Sequence, residues 1–296
     1  MSPLASTRIK IVALLFQFLF LSAHLYPQPN DLAFEHITVI DGLPENSVRV
    51  ILQDHLGFMW FGTLNGLVKF DGYDMTIYQP VPDDAGSFNG RYILSLHKDR
   101  TGDIWIGTRF EGLFRFDRTT ETFRQFNVTQ LSSETHDTLA FLQKKELNTI
   151  PSSYVSAIAG RQQSDELWIA TLGGGLSRLN ITNLSFKHYQ HNQDDSTTIP
   201  TDDLHDIHPD RKGNIWIASS SGLINFVPEK QEFTLYQPEH DKDNDDFNDF
   251  YTLCQDRSGT LWIGTLGSGI FTFDPSSETF KHYLHNPDNP NSLSHN

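Results

Sequence analysis

Apolar residues in this chain come in short alternating bursts, separated by Gly, Asp, Asn and Ser. One burst recurs five times, as "GFMWFGT", "GDIWIGT", "DELWIAT", "GNIWIAS" and "GTLWIGT", around Trp60, Trp105, Trp168, Trp216 and Trp262. The tryptophans are 45, 63, 48 and 46 residues apart. Upstream lies an apolar-x-x-apolar-x-x-Asp segment: Val48, Ile51, Asp54; Ile93, Leu96, Asp99; Leu204, Ile207, Asp210; Phe250, Leu253, Asp256. Copy three keeps Val155 and Ile158, but Arg161 replaces the Asp and the turn is one residue longer. Downstream come "GLVKFD", "GLFRFD", "GLSRLN", "GLINFV" and "GIFTFD", then a fourth segment such as "MTIYQ" or "TFKHYL". Each copy therefore predicts four short strands, a to d. Between a and b, Asp54, Asp99, Asp210 and Asp256 stand three residues before Gly57, Gly102, Gly213 and Gly259. Asp can cap such a tight turn, and Gly can supply its positive φ.

Four strands repeated at a period in the mid-forties predict an all-β chain, a β-propeller of four-stranded antiparallel blades. The blades fall at about residues 46–80, 89–127, 153–190, 202–237 and 248–284. A blade covered on both faces should read almost continuously apolar, as "IWIGT" does. Alternation puts Ile104 and Ile106 on one face, Trp105 and Gly107 on the other. The Gly or Ala after the aromatic pair leaves room for a side chain from the next blade, so the tryptophans are read as wedges between blades. Phe34–Val39 resembles a d segment without its own a, b and c, an orphan outer strand. Ser292–Asn296 aligns with residues just ahead of an a strand. One orphan strand plus five full sets implies an open or incomplete ring, and a truncated portion of a longer chain or half of a split gene.

Residues 1–28 stand apart. Arg8 and Lys10 precede a 13-residue apolar run, Ile11–Ala23. That is the pattern of an export signal, with an uncleaved N-terminal anchor as the alternative. A membrane span needs about 20 apolar residues. Residues 34–296 would then lie outside the cytoplasm, periplasmic or extracellular. The formal net charge of −15 argues against nucleic acid and anionic membranes as partners. The single cysteine, Cys254, excludes an intrachain disulfide and is expected to pack as a small buried hydrophobe.

No cofactor fingerprint or metal centre is read. In the acidic run 239–249, Asp241, Asp243 and Asp245 have the spacing of a calcium loop. Asp246 stands where that loop needs Gly, however, and Thr252 where it needs Glu. His188/His191 and His282/His285 recur in register in "FKHYQHN" and "FKHYLHN", and His205/His208 lie along an a strand. All three pairs are read as structural.

The repeated Asp-x-x-Gly-x-[Leu/Ile/Met]-Trp-[Ile/Phe]-[Gly/Ala]-[Thr/Ser], the following Gly-[Leu/Ile]-x-x-[Phe/Leu]-[Asp/Asn] and "NSLSHN" between blades resemble the two-component regulator propeller family. The resemblance covers roughly residues 34–296. It implies the extracytoplasmic sensor region of a large signalling protein, usually two seven-bladed propellers, a β-sandwich, a transmembrane helix and a cytoplasmic output such as a histidine kinase. It also implies a small polar ligand, oligosaccharides among them. Its other partners would be the missing blades and the remainder of the sensor, with homodimerisation through downstream regions as an option.

In propellers the b–c and d–a loops share one face, which usually carries the ligand. Arg109, Phe110 and Glu111 in one b–c loop, with Arg91 and Tyr92 in the adjacent d–a connection, combine cation, aromatic and carboxylate and are the candidate ligand-binding residues. Residues 127–153 are an insertion in which 138–147 could form a short amphipathic helix, although neutral length variation is equally open. No residue is assigned a catalytic role. Alternatives to a non-catalytic sensor are a propeller glycosidase or lyase, whose paired carboxylates the sequence does not announce, and a protein-binding scaffold.

Overall fold

The computed structural model describes residues 34–82, 87–126, 128, 149–161, 163–239 and 248–296. The export-signal segment, the 138–147 helix and residues 240–247 of the acidic run lie outside the described residues. Thr38–Asn296 form one compact unit.

That unit holds five antiparallel four-stranded sheets, each strand paired with its neighbour in sequence. The first comprises β1 (Val48–Gln53), β2 (Met59–Thr63), β3 (Gly66–Phe70) and β4 (Met75–Tyr78). The second comprises β5 (Ile93–Lys98), β6 (Ile104–Thr108), β7 (Leu113–Asp117) and β8 (Thr122–Phe126). The third comprises β9 (Val155–Gly160), β10 (Glu166–Thr171), β11 (Gly175–Asn180) and β12 (Phe186–Tyr189). In the fourth are β13 (Leu204–Pro209), β14 (Ile215–Ser219), β15 (Gly222–Val227) and β16 (Glu232–Tyr236). In the fifth are β17 (Phe250–Gln255), β18 (Leu261–Thr265), β19 (Ile270–Asp274) and β20 (Thr279–Tyr283). First strands of consecutive sheets pack side by side, β1 on β5, β5 on β9, β9 on β13 and β13 on β17, while β1 and β17 make no comparable contact. The sheets thus form successive blades about a common inner line.

Each of the first four tryptophans packs under the next sheet. Trp60 meets Phe116 of the second sheet with ring centroids 5.0 Å apart. Trp168 meets Phe226 at 5.6 Å and Trp216 meets Phe273 at 5.7 Å. Trp105 shares its buried cluster with Leu179, which occupies the Phe116 position of the third sheet. The Asp of the a–b turn serves both turn and indole. In the second sheet Asp99 Oδ1 accepts the Thr101 and Asp103 backbone N–H groups, at 2.8 and 3.1 Å. Asp99 Oδ2 accepts the Trp105 Nε1–H at 2.8 Å. The Asp54–Trp60, Asp210–Trp216 and Asp256–Trp262 pairs repeat it at 3.0, 3.3 and 3.1 Å. Arg161 cannot accept an indole proton; its guanidinium instead donates across to the Asp210 carbonyl at 2.9 Å. At the other end of each b strand the Thr or Ser hydroxyl closes the b–c loop: Thr63, Thr171, Ser219 and Thr265 each donate to a glycine carbonyl at 2.8 Å, and Thr108 does so at 3.0 Å.

The small residue after each Trp-apolar pair receives the first a-strand residue of the next sheet. A Cβ placed on Gly62 would lie 2.6 Å from Ile93 Cγ2, and one on Gly107 would lie 2.7 Å from Val155 Cγ1. Ala170 shares a cluster with Leu204, and Ala218 with Phe250.

Three expectations change at the ends of the array. Residues 34–38 form no strand; Val39–Asp41 is one 3-10 turn, its Ile40 N–H capped by Thr38 Oγ1 at 3.2 Å. An outer strand needs a sheet edge to pair with, and this segment meets none among the described residues. Trp262 is 43% exposed, because no sixth sheet lies over it. Cys254 is exposed for the same reason. It pairs with Trp262 across the strands, as His97 pairs with Trp105 on a face that the third sheet covers. The histidines of the d strands are engaged locally: His188 Nδ1 meets Ser177 Oγ at 2.8 Å, and His282 stacks on Phe271 at 4.0 Å.

Replacing Gly107 by Ala should cost about 1–3 kcal/mol by overpacking. Gly264→Ala, which would meet only Thr252 Cγ2, should cost less than about 1 kcal/mol in the same urea-unfolding series. Burial lowers the His97 pKa from 6.5 to about 4, so the unfolded chain takes up the proton first as pH falls. Stability carried by neutral His97 is complete above pH 6.5 and is lost as pH falls towards 4. His97→Asn should therefore lose on the order of 3 kcal/mol less than the parent chain between pH 7 and pH 4, read as the difference in urea midpoints times slope.

Candidate functional site

Pairing of each first strand with the second slips by one residue near its start, between Val48 and Val50, Ile93 and Ser95, Val155 and Ala157, Leu204 and Asp206, and Phe250 and Thr252. A β-bulge of this kind leaves one residue unpaired and re-aims its side chain. The five extra residues are Arg49, Leu94, Ser156, His205 and Tyr251. All five line one cavity of about 280 Å³, together with Tyr154, Asp206 and Thr252. Each sheet thus sends one bulged side chain to the inner line of the array. The apolar pair three apart, Val48 and Ile51 or Val155 and Ile158, is the trace this leaves in the sequence. A regular strand puts such residues on opposite faces, so the spacing signals an extra residue.

Polar groups in the cavity are largely engaged. Asp206 accepts the Ile207 and Leu253 backbone N–H groups, both at 2.8 Å, and the Thr252 hydroxyl at 2.9 Å, joining the fourth sheet to the fifth. Burial nonetheless pushes its carboxyl up from the ordinary value. His205 stacks on Tyr251 with centroids 5.0 Å apart. His205 Nε2 lies 3.0 Å from Asp249 Oδ1, a distance for an ion pair whose angle does not make a hydrogen bond. Burial raises the Tyr154 phenol above its usual 10, with Tyr251 adding to the shift and the guanidiniums of Arg109 and Arg49 opposing it.

The five candidate ligand residues come together beside this cavity. Arg109 N–H donates to the Tyr92 carbonyl at 3.0 Å, and Tyr92 N–H to Leu64 of the first sheet's b–c loop at 3.2 Å. Tyr92 is held between them at φ 47°, a left-handed conformation uncommon for a bulky residue. The Tyr92 and Phe110 rings meet edge to face at 5.5 Å. The Arg109 guanidinium carbon lies 5.9, 5.2 and 5.8 Å from the Tyr92, Phe110 and Tyr154 ring centroids. Glu111 Oε2 accepts the Arg91 backbone N–H at 3.3 Å. Tyr154 belongs to both groups, so rim and cavity are continuous. Sequence reading reached the rim through loop length but missed Arg49, Tyr154, His205 and Tyr251, which lie in or beside strands.

Successive four-stranded blades with a polar, aromatic-walled cavity on their inner line define a β-propeller architecture. Three segments, residues 42–65, 87–110 and 245–267, match the family model described as two component regulator propeller. These three segments are thus similar to the repeats of that family. The chain is 43% identical over 72 residues to histidine kinase P4 of Formosa agariphila, a match covering 24% of this chain and 5% of that protein. In fold it resembles the extracellular domain of the putative hybrid two component system BT3049 from B. thetaiotaomicron, with a TM-score of 0.68 and 23% identity over 85% of this chain and 32% of that one. Virginiamycin B lyase from Staphylococcus aureus resembles it less, with a TM-score of 0.56 and 14% identity over 82% of this chain and 71% of that one. The chain spans about a third of the extracellular domain it resembles and a twentieth of the kinase.

Replacing Arg109 by Gln removes a cation that favours the Tyr154 phenolate. The Tyr154 pKa should then rise further, read by ultraviolet titration as the component that Tyr154→Phe abolishes.

Proposed function

We propose that this chain is a non-catalytic, extracytoplasmic ligand-sensing propeller of a two-component signalling protein, part of a sensor histidine kinase that responds to a small polar ligand such as a polysaccharide-derived oligosaccharide. The observation that carries this reading is the cavity on the inner line, to which every blade contributes a bulged side chain. A site assembled from all five sheets reports on their relative placement, which is what a sensor must transmit. Ligands that touch several blades at once favour one arrangement of the stack over another. The family match and the kinase relative support the signalling context.

A propeller lyase or glycosidase is the second reading, favoured by the fold likeness to virginiamycin B lyase. Two-carboxylate hydrolysis needs a free acid and a free base flanking the bond. Asp206, the carboxylate lining the cavity, already accepts three protein donors, which weighs against that role.

Titration calorimetry of the chain against a panel of neutral and acidic oligosaccharides, followed by chromatography of the recovered glycan, separates the readings. Saturable heat with the glycan returned intact is expected. Cleaved or unsaturated products would transfer the chain to the enzymes, and absence of binding across the panel would remove the glycan-sensor reading.

A further inference from the structure

The charges at the cavity are unevenly satisfied. Asp206, the carboxylate lining the cavity, accepts three donors, and Glu111 at its rim accepts the Arg91 backbone N–H, while Asp249 stands 3.0 Å from His205 without a hydrogen bond. Arg49 lines the cavity and Arg109 sits among three aromatic rings, and neither has an ion pair among the described residues. Among the described residues, ion pairs are made by Arg100, Arg115 and Arg178, and what sets Arg49 and Arg109 apart is their place at one concave, aromatic-lined site.

The Arg109 guanidinium carbon lies 5.8 Å from the Tyr154 ring, and Arg49 lines the same cavity as Tyr154, so both face one site. The cavity also presents flat amphipathic surfaces, Tyr154 and Tyr251, and the hydroxyl oxygens of Ser156 and Thr252, whose protons go to the Leu204 carbonyl and Asp206 and whose lone pairs can accept. Aromatic rings suit the C–H face of a pyranose, hydroxyls suit its edge, and a guanidinium fork matches a carboxylate in the plane of its two oxygens. We infer that the cavity takes an acidic oligosaccharide, one carrying uronate carboxylates, with one carboxylate on Arg49 and the adjoining residue against Arg109 and its ring cage. This rests on the reading of the cavity as a glycan-sensing site and names the ligand class.

The test is calorimetry on the whole chain with tetramers of galacturonate, mannuronate and glucuronate, each beside its carboxyl-reduced neutral counterpart. At least one uronate should bind about tenfold or more tighter than its reduced form, since a charge-assisted bidentate contact is worth about 1.4 kcal/mol or more. That preference should shrink when NaCl is raised from about 50 to about 500 mM. It should be lost in Arg49→Gln and weakened in Arg109→Gln, with a cooperative thermal transition showing that each variant is folded. Equal binding of uronates and their reduced forms, or an undiminished preference in Arg49→Gln, overturns the inference while leaving the glycan-sensor reading intact. If no tetramer of either kind binds, the glycan-sensor reading falls and the inference with it. The comparison of charged with reduced glycan needs no variant, so a misfolded mutant cannot obscure the result.

Discussion

The structure depends on the indole of a sheet being covered by the sheet that follows, as in the first four sheets, and, in every sheet but the third, being held by the Asp of its own turn. Burying a tryptophan removes a large apolar area from water, and truncating one to alanine typically costs 3–5 kcal/mol. The indole N–H must still find an acceptor, and the turn Asp supplies it while its other oxygen fixes the turn. One carboxylate thereby couples local turn geometry to packing between blades. Trp262 shows the same pair without the cover: its Asp256 bond is intact at 3.1 Å, yet the ring stays 43% exposed. The hydrogen bond aims the ring, and the neighbouring sheet buries it.

Around this wedge the remaining contacts between blades are lighter. Glu121, Gln231 and Glu278 sit at left-handed φ in c–d turns and reach back to Lys69, Lys187 and Tyr236 of the preceding sheet. Such surface contacts are each worth roughly 0–1 kcal/mol. They adjust the angle between blades rather than hold them together. A stack joined by few strong and many weak contacts can shift slightly when something binds along its inner line, where every blade presents a side chain.

The bulges connect fold to function. Without them, each first strand would show its inner line the same alternating residues it shows its neighbours, and the cavity would carry only side chains chosen for packing. One unpaired residue per blade frees a position from the packing pattern. Those positions hold Arg, Leu, Ser, His and Tyr, a mixture that no core would select. Variation confined to one register position of an otherwise uniform repeat is what recognition needs.

Much of this was written in the chain itself. The period, the four strands per unit and the wedge role of tryptophan follow from local patterning, because strand alternation and turn chemistry act over a few residues. The Asp-x-x-Gly turn was legible, but its bond to the indole was not, since the five residues between them fold back only when two strands pair. The rim residues Arg91, Tyr92, Arg109, Phe110 and Glu111 could be named from loop position alone. The placement of Arg109 over Tyr154, and the exposure of Cys254, were decided by which sheet lies beside which. Burial is a property of neighbours, and those neighbours stand some forty residues away along the chain, where no local pattern records them.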